Sequence, residues 1–201
     1  MSWRAVILVG GFGVPPAVLR PLARDLRAAG REVVVAPLGV NVDCGERTVQ
    51  RLLEVIDGIG ADVALVGHSR GGQLAKVAAV RRPVAVTRLV TAGTPWTIGP
   101  PDRPGVAAVS TALRAARRRG LDLLPSIDCA TAPCCETFRA DLHTTPPRAR
   151  WTALWSSRDR IAGQDAHPPP DADDDRDTGT SHVGFVTDPR GRRAILDALW
   201  R

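Results

Sequence analysis

A strand runs straight into a glycine-rich turn and out again into a helix at residues 62–80. Asp62 to Val66 (DVALV) is a short apolar run of the kind that becomes a strand buried on both faces. It continues without a gap into Gly67-His68-Ser69-Arg70-Gly71-Gly72, and Gln73 to Val80 reads as a helix with Pro83 beyond its end. Antiparallel neighbours can be joined by a short hairpin, whereas parallel ones need a crossover, usually a helix. The junction therefore points to a parallel sheet.

The same alternation recurs along the chain. Arg4 to Val9 (RAVILV) is a buried strand that exits into Gly10-Gly11-Phe12-Gly13. Pro15 to Ala29 carries Val18, Leu19, Leu22 and Leu26 at helical spacing and stops at Gly30. Glu32 to Ala36 is a second strand, ended by Pro37, and Glu46 to Ile59 is a helix with Val49, Leu52, Leu53 and Ile56 on one face. Further strands are expected at Ala85 to Thr91 and Arg150 to Ser156, and a last helix at Pro189 to Trp200. The fold class is α/β: a mostly parallel sheet of about six strands with helices on both faces, in one domain spanning 1–201.

Two stretches interrupt the rhythm. Residues 97–148 form an insertion after the fourth strand, with an amphipathic segment from Val106 to Arg119; its length suits a cap or binding region. Its apolar residues could line an acyl pocket or simply cover the sheet. Gln164 to Thr178 holds six aspartates and three consecutive prolines, and it reads as a solvated loop. It lacks the glycine and final glutamate of a calcium loop.

Composition removes several classes. A chain of 201 residues that is 44% hydrophobic and 24% charged is globular. The net charge of +6 comes almost wholly from arginine, and the densest cluster, Arg114, Arg117, Arg118 and Arg119, has no aromatic beside it. That argues against a nucleic-acid partner. No apolar run reaches the roughly 18 residues of a membrane span, and Ala5 to Val9 is too short for the core of a secretory signal. The expected location is the cytoplasm. Cys44, Cys129, Cys134 and Cys135 are too few and too irregular for a disulfide scaffold. A zinc site would ask for a CxxC pair with histidines nearby, so free thiols are the expectation and no metal is assigned.

Gly67-His68-Ser69-Arg70-Gly71 is a G-x-S-x-G pattern in the strand–turn–helix setting that projects a serine at the carboxyl edge of a sheet. Capping of the following helix is the alternative use of Ser69. A serine hydroxyl needs a base, and the base needs an orienting carboxylate. Of four histidines, His182 alone follows the last strand, where a loop can return it to Ser69; His68 adjoins the serine and would point elsewhere. Asp159 leaves the Arg150–Ser156 strand and is the candidate carboxylate, with an ordinary turn aspartate as the other reading. An oxyanion would be met by the backbone N–H groups of Arg70 and of Phe12 in the first glycine-rich loop. Arg70 is a cation in the first turn of a helix, where it opposes the dipole. It is expected to pair with a carboxylate such as Asp43 or with an acidic substrate.

The sequence resembles α/β-hydrolases, most of all small bacterial serine esterases and lipases. The resemblance rests on VILVGGFG, LVGHSRGG, LVTAGTP, LWSSRD and SHVGFVTDP, which together span nearly the whole chain. It implies hydrolysis of a carboxylic ester, thioester or lactone through a Ser69 acyl-enzyme, with Asp159 and His182 completing a triad and no cofactor. An acyl-transfer or cyclising enzyme of a biosynthetic pathway would use the same residues, and a binding protein on this scaffold is a third class. Gly10-Gly11 stands where the family usually has His-Gly. The family's first two strands are absent, and the sixth strand expected before His182 has almost no apolar signal in Arg176 to Ser181.

Overall fold

A computed structural model describes residues 3–97 and 133–200. Six strands form one sheet: β1 (Ala5–Val9), β2 (Glu32–Val35), β3 (Val63–His68), β4 (Val86–Ala92), β5 (Arg150–Trp155) and β6 (Asp174–Asp177). Their order is β2-β1-β3-β4-β5-β6, and every neighbouring pair is parallel. Among the described residues the helices are α1 (Arg20–Ala28), α2 (Gly45–Ile59), α3 (Arg70–Arg81), α4 (Glu136–Leu142), α5 (Gly184–Thr187) and α6 (Pro189–Trp200).

Strand periodicity builds two cores. Side chains alternate between the faces of a strand, so Ile7, Val9, Val63 and Leu65 join the core under α2, α3 and α4, with Leu52, Ile56, Leu74 and Phe138. Val6, Leu8, Ala64 and Val66 face the opposite core with Leu22 and Leu26 of α1 and Ile195 and Leu199 of α6. A fully buried leucine or isoleucine contributes about 1.5–3 kcal/mol over its exposed state. That is why the central strands are apolar at every position.

The chain leaves β1 towards β2 and then turns back past β1 to lay down β3. Right-handed crossovers send helices of opposite travel to opposite faces. Accordingly α1 packs on one face and α2 on the other. The reversal opens a crevice at the carboxyl ends of β1 and β3, where such sheets bind ligands.

Two sequence expectations are revised. The helix expected over 15–29 divides into a 3-10 turn, Pro16–Leu19, and α1, because Pro16 and Pro21 each occupy the start of a turn. The segment 164–178, expected to be a solvated loop, contributes a 3-10 turn at Gly163–Ala166 and the edge strand β6. An edge strand faces water, so Asp174 to Asp177 needs no apolar residue; its carboxylates instead anchor it. Trp155 Nε1 donates to Asp175 at 2.9 Å, and the Ser157 amide donates to Asp177 at 3.2 Å. The amphipathic segment Val106–Arg119 and Cys129 lie outside the described residues. The described end of the insertion packs onto the body through Cys135, Phe138 and Leu142.

Candidate active site

Ser69 sits between β3 and α3 with φ 54° and ψ −130°. A non-glycine residue in that region costs about 1–3 kcal/mol and persists only where its surroundings enforce it. The enforcement is steric. A Cβ on Gly67 would lie 2.4 Å from the Gly71 carbonyl oxygen, and one on Gly71 would lie 2.2 Å from that of Val9. Only glycine lets α3 descend this closely onto β1 and β3. The Ser69 side chain makes no capping bond to α3, so the helix-cap alternative is excluded.

The hydroxyl is directed instead at His182. Ser69 Oγ and His182 Nε2 are 2.9 Å apart, and His182 Nδ1 lies 2.7 Å from Asp159 Oδ2. Burial pushes the Asp159 carboxyl up. The His182 hydrogen bond and charge, with the amides of Ala162 and Ile161, outweigh it and hold the pKa below its ordinary value. An ionised carboxylate only accepts, so Nδ1 of His182 carries the proton. Nε2 is then the lone pair that receives the serine O–H. Asp159 is also a turn aspartate, since Oδ1 accepts from Ile161 N at 2.8 Å and Ala162 N at 2.9 Å. The two oxygens thus have different partners, His182 on Oδ2 and the turn amides on Oδ1.

The turn after β1 reaches the same point. A Cβ on Gly11 would lie 2.9 Å from Ser69 Cβ, so the absence of a side chain there lets the Gly11 backbone lie against the serine. The loop is tied down by Asn41 Nδ2, which donates to the Gly10 carbonyl at 2.7 Å, and by the Gly13 amide on Val40 O at 2.8 Å. Arg70 opens α3 immediately after the serine. Its guanidinium lies 5.7 Å from the Phe12 ring centre and donates to the backbone carbonyls of Asn41 and Asp43; the Asp43 carboxylate has arginine partners from α2. Arg51 and Arg47 hold that carboxylate, at 2.8 and 3.6 Å.

Three positioning groups escaped the sequence reading. His68 lies beneath His182 with ring centres 5.0 Å apart, and its Nε2 donates to the His182 carbonyl at 2.8 Å. Burial, then the neighbouring His182 charge, lowers its pKa from 6.5 to about 4, so it is neutral near pH 7. Ser156 Oγ donates to the Thr180 carbonyl at 2.5 Å, and Thr178 and Thr180 hydroxyls bond each other at 2.9 Å, which fixes the loop carrying His182. Asn41, at φ 50°, is the third. A sequence signal existed only for His68, as the residue preceding the serine.

No protein-family model matches the sequence, and no curated protein matches it. Solved structures do resemble it. The monoacylglycerol lipase of Paleococcus ferrophilus superposes with a TM-score of 0.69 at 19% identity, covering 96% of this chain and 93% of the lipase. An α/β-hydrolase enzyme from the sediment metagenome of the Mar Chica lagoon, Morocco, gives 0.67 at 17% identity, covering 98% and 90%. An extracellular α/β-hydrolase of a Paenibacillus species gives 0.67 at 14% identity, covering 98% and 99%. The chain has the α/β-hydrolase fold.

Proposed function

We propose that the protein is a serine hydrolase cleaving a carboxylic ester, with thioesters and lactones in the same class. The carrying observation is the unbroken hydrogen-bonded chain from Ser69 Oγ through His182 to Asp159. The lipase among the structural neighbours supports the substrate class.

Ser69 Oγ attacks the carbonyl carbon while its proton passes to His182 Nε2, and Asp159 stabilises the imidazolium. The Phe12 and Arg70 amides receive the oxyanion. A helix N-terminus and a fixed backbone loop need no reorganisation as that charge develops. Collapse expels the alcohol, which takes the proton from Nε2 and leaves an acyl-Ser69. Water, deprotonated by His182, then releases the acid and restores the serine. No metal or cofactor takes part in this sequence. The substrate is a small-molecule ester. Cys44, Cys134 and Cys135 are not joined by disulfides, which suits a reducing compartment such as the cytoplasm.

Labelling with a fluorophosphonate probe tests the assignment. Wild type is expected to be labelled and Ser69→Ala is not, with turnover of a chromogenic ester falling at least about 10⁴-fold. Persistent labelling of Ser69→Ala rejects Ser69 as nucleophile. A panel of esters differing in acyl length then defines the acyl pocket. Added alcohols or amines that raise turnover and capture the acyl group would point to transfer in place of hydrolysis.

A further inference from the structure

Outside the Ser69–His182–Asp159 chain, three sulfurs converge where α2 begins. Cys44 Sγ lies 3.2 Å from Cys135 Sγ and 3.8 Å from Cys134 Sγ, and the last two are 4.0 Å apart. Among the described residues these three ligand atoms all fall within 4.8 Å of one another. A tetrahedral zinc with Zn–S bonds of about 2.3 Å has sulfur–sulfur edges of about 3.8 Å. Two edges of the triangle are close to that value, and the Cys44–Cys135 edge would open by about 0.6 Å to make one face of such a tetrahedron.

The sulfurs are brought together by contacts that do not involve them. Gly45 lets the Phe138 ring of α4 lie flush on the start of α2, where an added Cβ would meet it at 3.1 Å. Arg81 of α3 bridges Glu46 at 2.7 Å and Asp141 of α4 at 2.6 Å. The two elements that carry the cysteines are thus fastened independently. Cys44 occupies the N-cap position of α2, at the positive end of a 15-residue helix. Thiols are weak partners for one another, so mutual S–H contacts give little reason for such a cluster. Three thiolates packed this closely would repel strongly without a cation between them.

We propose that Cys44, Cys134 and Cys135 bind one Zn²⁺ as a structural site, with its fourth position on the exposed side near Cys134. Thiolate ligands select a soft or borderline cation over calcium or magnesium. No pair is at the roughly 2.05 Å of a disulfide; the shortest separation is 3.2 Å. The ion would join residues 90 positions apart. It would pin the far end of the insertion to the segment whose Asp43 carbonyl receives the Arg70 guanidinium.

The test is a Co²⁺ titration of the reduced, chelator-stripped full chain. Thiolate-to-cobalt charge-transfer absorption with tetrahedral d–d bands is expected, saturating at one ion per chain and displaced by Zn²⁺. Cys134 is exposed, so Cys134→Ser should fold as wild type by circular dichroism. Its cobalt affinity should drop by more than the 10–100-fold that loss of an outer-shell partner costs. Ser69→Ala should titrate like wild type, which separates this site from the ester chemistry. A folded chain with no saturable spectrum overturns the proposal. So does an unchanged spectrum in Cys134→Ser, or a disulfide from Cys44 in protein purified under reduction.

Discussion

At the level of single residues, Asp159 fixes which nitrogen of His182 holds the proton. Asp159→Asn keeps a side chain of the same shape but puts an amide opposite Nδ1, favouring the wrong tautomer. The expected loss in kcat is on the order of 10⁴-fold, the size seen when a protease triad suffers this change, with thermal stability little altered. Steady-state kinetics on a chromogenic ester check it. His68 makes a separate prediction, in stability. Its pKa in the folded chain is about 4 against an ordinary 6.5, so between those values the unfolded chain binds more protons. Stability should therefore fall as the pH is lowered from about 6.5 to about 4, by on the order of 3 kcal/mol from this group. Asp159, depressed below its ordinary 3.8, adds stability that is lost only further down the acid limb. Denaturant melts at several pH values, on wild type and His68→Gln, should show the variant with the shallower slope above pH 4.

Among the elements, the connection from β5 to the His182 loop is the one whose failure would show in catalysis. Ser156→Ala removes the bond to the Thr180 carbonyl and the acceptor for the Arg158 amide. The prediction is a drop in kcat of about tenfold or more with a minor change in Tm, because a small misplacement of the base is costly while one hydrogen bond is worth only about 1 kcal/mol. The glycine elbow behaves oppositely. Gly71→Ala should destabilise the whole chain by about 3 kcal/mol or more, since backbone, not a movable side chain, occupies the space. Equilibrium unfolding checks that. These elements also differ in how readable they were. β1, β3 and α2 declare themselves because both faces of a central strand and one face of a helix must be apolar. β6 does not, because pairing on one side and carboxylate anchors suffice for an edge. Ser69 and His182 were legible from motif and order; Asn41 and Ser156 were not, since they act through backbone carbonyls that leave no trace in side-chain chemistry.

Across the molecule, protection should grade outward from the middle of the sheet. β1 and β3 are buried at every position and paired on both sides, whereas β2 and β6 each have one partner. Hydrogen exchange followed by mass spectrometry should find the slowest amides in β1, β3 and β4 and faster ones in β2 and β6. Faster exchange in β3 than in β6 would contradict the layered core. The convergence of Cys44 with Cys134 and Cys135 was equally invisible beforehand, because only the packing of α4 on α2 makes positions 90 apart into neighbours. The acidic character of β6 reaches beyond its anchoring role. A border strand reading Asp-Asp-Arg-Asp offers an approaching chain a row of mostly like charges, so intermolecular zippering on that flank is disfavoured. Crowding or partial unfolding would therefore drive aggregation from the opposite border, where Val33 to Val35 carry no such guard.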